Sequence, residues 1–388
     1  MGFLASLEDF SAKNIEALLE AREKGIPVVG IYCTYGPVEP ILAAGAIPVG
    51  VCGTSQDPIP AAERHLPRNL CPLIKSSYGF AITDTCPFFH ISCLILGETT
   101  CDGKKKMFEL MATFKDVYVL QLPQMPSRET SLELYYQEIV KFKEYLENRL
   151  GVKITPDKLK QAISLVNRYH RALKELYDLN KNRPPLLKGT ELVKIGDGLG
   201  HYVKWKERVG LLEALVEEVR DLAHQGYRAH SSSSPRILLT GTPVGSGCTK
   251  VVELVEECGG AVVAMENCSG YKTVGLFIEE EDERDPLWLL AEKYIIRIPC
   301  SVMSPNRGRL ELLAEMVKEF QVEGVIDLTW QACHTYNIEA FLVEQLVKDR
   351  LGLPYLHLET DYSPMDRENL RVRIEAFLEM VRARQALV

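Results

Sequence analysis

Eleven cysteines are spread through 388 residues, and six of them stand where thiols from separate segments can meet. Cys101 lies in GETTCDGKKKMFELM (97–111), between an apolar run (Ile91, Leu94, Ile95, Leu96) that reads as a buried strand and a helix from Lys104 to Met111. A thiol at the carboxyl end of such a strand sits where open α/β sheets place their ligands. The free N–H groups of the following helical turn favour its thiolate. Cys33, Cys268 and Cys333 fall at or just past other predicted strand ends, Cys300 opens the loop after YIIRI, and Cys71 begins a helical turn. One such thiol alone reads as a packing residue, because free cysteine is commonly buried. Six on one side of a scaffold read as ligands. Structural zinc draws on tight CxxC pairs, which are absent, whereas single cysteines on separate strand ends suit an iron-sulfur cluster. Cys86, in DTCPFFH, fits either ligation or a loop staple. Cys248 and Cys258, on a predicted helix, and Cys52 and Cys93, within predicted strands, read as packing.

The elements that must position these thiols alternate. GIPVVGIYC (25–33) is a strand, PVEPILAAG (37–45) a helix and IPVGVCG (47–53) a second strand; residues 65–80 form a helix or pair of turns, and DVYVLQLPQ (116–124) is a further strand after Cys101. Such alternation predicts a parallel sheet covered by helices. Residues 129 to about 225 change to successive amphipathic helices, and HSSSSP (230–235) is a polar hinge. Alternation then resumes from PRILLTG through VEGVIDLTWQACH and PYLHLETDYS to the closing helix ENLRVRIEAFLEMVRA. The expected organisation is α/β: one sheet domain at 1–128, a helical segment at 129–230 and a second sheet domain at 235–388. The crevice between the domains is the expected site.

Composition narrows the function. The chain is 46% hydrophobic and 25% charged with a net charge of -8, and its pI is near 5.7. Nucleic acid is excluded as the main partner, since phosphate binding needs a concentrated basic face. No basic and apolar leader precedes Leu4 to Glu20, which reads as an amphipathic helix, and no apolar run is long enough for a membrane; a cytoplasmic protein is expected. GTPVGSGCTK (241–250) has the flavour of a phosphate loop but lacks the Gly-Lys-Ser/Thr of one, so nucleotide hydrolysis by this chain is excluded.

The segments IYCTYGPVEPILAAGAIPV, LPRNLCPLIKSSYG, GETTCDGKKKM, ENCSGYK, PCSVMSPN and QACHTYNIE, in this order, resemble the 2-hydroxyacyl-CoA dehydratase D-component superfamily, in particular its double-cubane cluster proteins. The resemblance implies two flavodoxin-like domains with an iron-sulfur cluster between them. It implies that Cys71, Cys101 and Cys333 hold one cubane. For the second cubane of an 8Fe-9S cluster, strand-end position nominates Cys33, Cys268 and Cys300, with Cys86 as substitute. It further implies an iron-sulfur reductase acting on a small molecule under anaerobic conditions. Its electrons would come from a separate dimeric ATPase reductase that carries its own cluster. Two alternatives stay open: a 2-hydroxyacyl-CoA dehydratase subunit with a single 4Fe-4S cluster, acting by a ketyl radical, and a non-catalytic electron carrier. Glu266 and His334, beside Cys268 and Cys333, are candidate proton donors. Lys75, Lys104, Lys105 and Lys106 flank proposed ligands, where they stabilise a reduced cluster, attract the partner or form solvated surface. The apolar stripes of the helical segment, with the resemblance, suggest a homodimer.

Overall fold

The computed structural model describes residues 10–386, with side chains from residue 13 onward. Short runs of aliphatic and β-branched residues, each closed by Gly, Pro or a polar residue, form eight strands among them. β1 (Val28–Ile31), β2 (Ile47–Gly50), β3 (Leu94–Glu98) and β4 (Val117–Leu120) make one parallel sheet in the order β2-β1-β3-β4. β5 (Arg236–Gly241), β6 (Ala261–Glu266), β7 (Gly324–Trp330) and β8 (Tyr355–Thr360) repeat that order as β6-β5-β7-β8. Every residue of β3, β5, β6 and β7 is buried, which is why their sequences are mostly apolar and do not alternate. The fold is the predicted α/β architecture of two flavodoxin-like sheets.

In each sheet the strand order reverses at the first strand, which pairs with both the second and the third: Gly30 stands opposite Val49 and Ile95, and Leu238 opposite Ala264 and Val325. Ligand crevices open at such switch points, beyond the carboxyl ends of the strands. Gly241 shows how close the backbones approach there. At φ 108, a Cβ on it would lie 2.1 Å from the Leu328 carbonyl oxygen, so only glycine can end β5.

The helices that bear on the site are α1 (Pro72–Thr83), α2 (Asp102–Met111), α3 (Glu129–Leu150), α4 (Pro156–Asp178), α5 (Gly189–Gly200), α6 (Trp205–His224) and α7 (His334–Gln345). Pro72 and Pro156 occupy the first turn of α1 and α4, where a missing N–H costs nothing. The apolar stripes of α3 to α6 are covered within the chain. Tyr135, Ile139, Phe142 and Leu146 of α3 pack with Leu94, Leu96 and Leu120 of the first sheet, while Leu192, Val193, Ile195 and Leu199 of α5 share a core with β6. Asn167 of α4 bonds both ways to Ile278, at 2.7 and 3.0 Å, and so ties the helical segment to the second half. These stripes thus need no second chain. The apolar side chains left exposed include Ile338, Phe341 and Leu342, all on α7.

The element predictions match closely, with most strand ends trimmed by one to four residues. Phe10–Glu23 is helical; the predicted start of that helix at Leu4 lies outside the described residues. Cys52 lies two residues past β2 and Cys93 just before β3, not within the strands, and Cys258 caps the end of the helix Lys250–Glu257. Among the described residues, no helix is long and apolar enough to cross a membrane.

Candidate active site

The carboxyl ends of both sheets and the flanks of α4, α5 and α6 enclose a cavity of about 690 Å³. Cys33, Cys71, Cys101, Cys268, Cys300 and Cys333 all line it. Cys71, Cys101 and Cys333 are the N-cap residues of α1, α2 and α7, so three helix N-termini converge on three thiols. The N–H groups of Leu73 and Ile74 favour the Cys71 thiolate, those of Gly103 and Lys104 the Cys101 thiolate, and that of Tyr336 the Cys333 thiolate. The neighbouring Cys333 thiol holds Cys71 below its ordinary range. Ala332, which turns the chain into that helix, sits at φ 59, a left-handed conformation that alanine seldom adopts.

The remaining three thiols form a second group. The neighbouring Cys268 thiol holds Cys300 well below its ordinary range, while Cys300 acts on Cys33 and Cys33 on Cys268. Burial pushes the Cys33 thiol up to about 12, with Lys104 working against it. Two buried lysines serve this wall. Lys104, 8% exposed, donates to the Tyr32 carbonyl at 3.2 Å; burial works to lower its pKa, and Cys33, Glu98, Cys52 and Cys101, once ionised, raise it. Lys272 donates to the Tyr336 hydroxyl at 2.6 Å and pairs with Glu266 at 3.2 Å, and its charge lowers both Cys268 and Cys300.

The flanking lysines therefore divide. Lys104 is an internal cation, Lys75 is buried in a 2.9 Å pair with Glu63, and Lys105 and Lys106 are exposed beside Asp102 and Glu109. A surface docking role for Lys104 is excluded by its burial. Glu266 is not on the cavity wall. Burial alone would raise it, but Lys272 and Arg309 outweigh that and keep it ionised, with Thr240 donating at 2.6 Å. A carboxylate so held has no proton to give. His334 is exposed at the cavity wall as the first residue of α7. Cys86 caps a separate short helix and does not line the cavity; Cys52, read as packing, does, donating to the Tyr32 carbonyl at 2.8 Å.

Three participants escaped the sequence reading. Glu98, the last residue of β3, is fully buried with neither carboxyl oxygen hydrogen-bonded, and burial pushes it up to about 8 despite Lys104. Its signal was a charge ending an apolar run. Lys272 stands four residues after Cys268 and Tyr336 three after Cys333, within the quoted segments.

Among the described residues, no three His, Cys, Asp or Glu side chains are placed to hold a single metal ion. The donor set suits a multi-iron group, where each soft thiolate takes a different iron and two buried cations offset the negative charge. An α/β protein with two switch points facing one thiol-lined cavity is the class this geometry defines. The chain belongs to the 2-hydroxyglutaryl-CoA dehydratase, D-component, family, whose sequence profile matches residues 33–381. It is 45% identical, over 94% of both chains, to the putative dehydratase subunit YjiM of Escherichia coli (strain K12). It is 24% identical to the (R)-phenyllactyl-CoA dehydratase beta subunit of Clostridium sporogenes, over 92% of each chain. To a benzoyl-CoA reductase subunit of Thauera aromatica it is 22% identical, over 96% of this chain and 93% of the other.

Proposed function

We propose that this chain is an iron-sulfur reductase that receives low-potential electrons from a separate ATP-hydrolysing reductase with its own cluster and reduces a small molecule at the cavity. The observation that carries this reading is the sorting of six cavity thiols into two groups of three, Cys71, Cys101 and Cys333, and Cys33, Cys268 and Cys300. These would hold a double cubane, 8Fe-9S, which supplies electrons one at a time when bound. Lys104 and Lys272 would hold thiolates in place of thiols and offset added negative charge, and the helix termini at the first group would do the same without a titrating side chain. Glu98, which burial pushes up to about 8, is a better candidate than Glu266 to carry a proton beside Lys104, although neither carboxyl lines the cavity. The division into sheet domains 1–128 and 235–388 about a helical segment, and a cytoplasmic, anaerobic setting, belong to the same reading. So does a homodimer, for which the exposed apolar residues of α7 offer a face.

The names of the relatives favour a second reading, a dehydratase subunit with one 4Fe-4S cubane on Cys71, Cys101 and Cys333. Anaerobic purification with iron and acid-labile sulfide analysis separates the two: about eight irons per chain supports the double cubane, about four the dehydratase. Cys101→Ala should lose iron and visible absorbance, since no comparable soft ligand replaces the thiolate, whereas Cys258→Ala should keep both. Full iron retention in the Cys101 variant would sink both readings, and reduction by a mild donor without ATP would favour an electron carrier.

A further inference from the structure

The helical wall of the cavity carries a cation whose partners are two aromatic rings and no acceptor or carboxylate. Arg208 of α6 is 6% exposed and lines the cavity, and its guanidinium lies 4.1 Å from the Tyr169 ring centroid and 4.4 Å from that of Trp205. Among the described residues no acceptor bonds its side chain, no carboxylate pairs with it, and its buried Nε has no partner. Two further polar atoms on that wall are orphaned in the same way: His170 Nδ1 and Trp205 Nε1. The neighbouring Lys293 does not share the deficit, because Glu39 accepts from it at 2.6 Å and from the Tyr294 hydroxyl at 2.9 Å. Asp197, also on the wall, is engaged by the Ser246 N–H. Burial, together with Lys293 and Arg208, keeps His170 neutral.

A buried, uncompensated charge is costly, and so is each buried donor without an acceptor. Three such groups around one cavity are a binding site in search of a ligand. The two rings, inclined at 60° to each other, flank the guanidinium and limit its movement, and its donors without a protein acceptor suit a planar carboxylate, which can accept two parallel hydrogen bonds from a guanidinium. One positive charge with a neutral imidazole and an indole N–H suits a single negative charge; a dianionic phosphate would leave half of its charge unpaired.

The geometry points to Arg208, with His170 and Trp205, as the recognition site for the carboxylate of an acidic small molecule, held in the cavity that the thiols also line. This rests on the reductase reading only for what happens to the ligand; recognition itself needs no turnover.

Calorimetric titration of the protein as isolated with butyrate, butyramide and inorganic phosphate tests it. Butyrate should bind the wild type, the amide and phosphate more weakly. Arg208→Gln should weaken butyrate binding about tenfold to a hundredfold, the range of a charge-assisted hydrogen bond. Arg208→Lys should lose less, because it keeps the charge and gives up the paired hydrogen bonds. Arg168→Gln should change nothing, since Arg168 is exposed and paired with Glu213. Butyrate should also raise the melting temperature of the wild type and not of Arg208→Gln, which reports binding independently of heat. Equal butyrate affinity in wild type and Arg208→Gln would overturn the proposal, as would tighter binding of phosphate or of the amide than of butyrate. Iron measured on the same samples keeps the two readings apart: low iron with Arg208-dependent butyrate binding defeats the cluster and leaves this site standing.

Discussion

Glu98→Gln tests whether the buried carboxyl at the end of β3 carries a proton at neutral pH. Glu98 is 0% exposed and makes no hydrogen bond through either oxygen, and a Cβ on Gly36 would lie 2.6 Å from its Oε1, so the backbone crowds it on one side. Burial moves it from 4.5 to about 8. That is a difference of about 3.5 pH units, or about 5 kcal/mol at most at 1.36 kcal/mol per unit. The folded pKa is the higher one, so between about pH 5 and 8 the folded chain retains a proton that the unfolded chain has released. This contribution to stability is therefore fully present below pH 4.5 and is lost as pH rises through 8. The steepest loss is about 1.4 kcal/mol per pH unit. Glutamine keeps the shape and cannot titrate. Urea unfolding of iron-free, fully reduced protein, followed by circular dichroism from pH 5 to 8.5, should find wild type and Glu98→Gln alike at the acid end. The variant should be more stable by a few kcal/mol near pH 8. Groups that titrate in both proteins cancel in the difference. Parallel pH profiles would refute the buried-proton argument.

Lys272→Met removes one of the two cations that hold Glu266 ionised in the core; the carboxylate left with Arg309 should destabilise the fold by about 3–5 kcal/mol, read as a lower urea midpoint at unchanged slope. A cost below 1 kcal/mol would mean Glu266 is not held as a carboxylate. Reversing the exposed Lys105 and Lys106 to glutamate should slow reduction by the proposed ATP-hydrolysing partner in a salt-dependent way and leave iron content intact, provided that partner docks beside Cys101. Rates that do not change with these substitutions would move the docking face elsewhere.

The alternation of apolar runs and amphipathic helices made the two sheets legible, because fully buried parallel strands and their covering helices differ in length and period. The thiols were legible for the same reason: a cysteine just past a strand is placed by the strand, whatever else the chain does. Charges were not. Lys104 reads as one of three lysines on a solvated turn, and only the packing of α2 against Tyr32 and Glu98 turns it inward. Glu266 precedes Cys268 by two residues, yet it faces Thr240 and Arg309 inside the sheet, so closeness in sequence misled. Cys52 changed role because β2 ends at Gly50, short of the predicted 53, and a trimmed strand end decides whether a thiol packs or faces the cavity. Arg208 and His170 lie on helices whose pattern says only that one side is apolar; that their polar tips lack partners follows from the way α4 and α6 close over the crevice.

The two thiol groups are interleaved across the repeated sheets. The first half of the chain gives Cys71 and Cys101 to one and Cys33 to the other; the second half gives Cys333 to the first and Cys268 and Cys300 to the second. A ribosome releases these residues in order. Cys101 and Cys333 are 232 positions apart, a gap of about 12–46 s at ~5–20 residues per second. For most of that time the first sheet lacks Leu290, Tyr294 and Ile298, which complete its core from the second half, and its three thiols have nothing to close over them. The nascent chain thus shows three of the six cavity thiols before the other three exist, and the full set comes together only in the finished polypeptide.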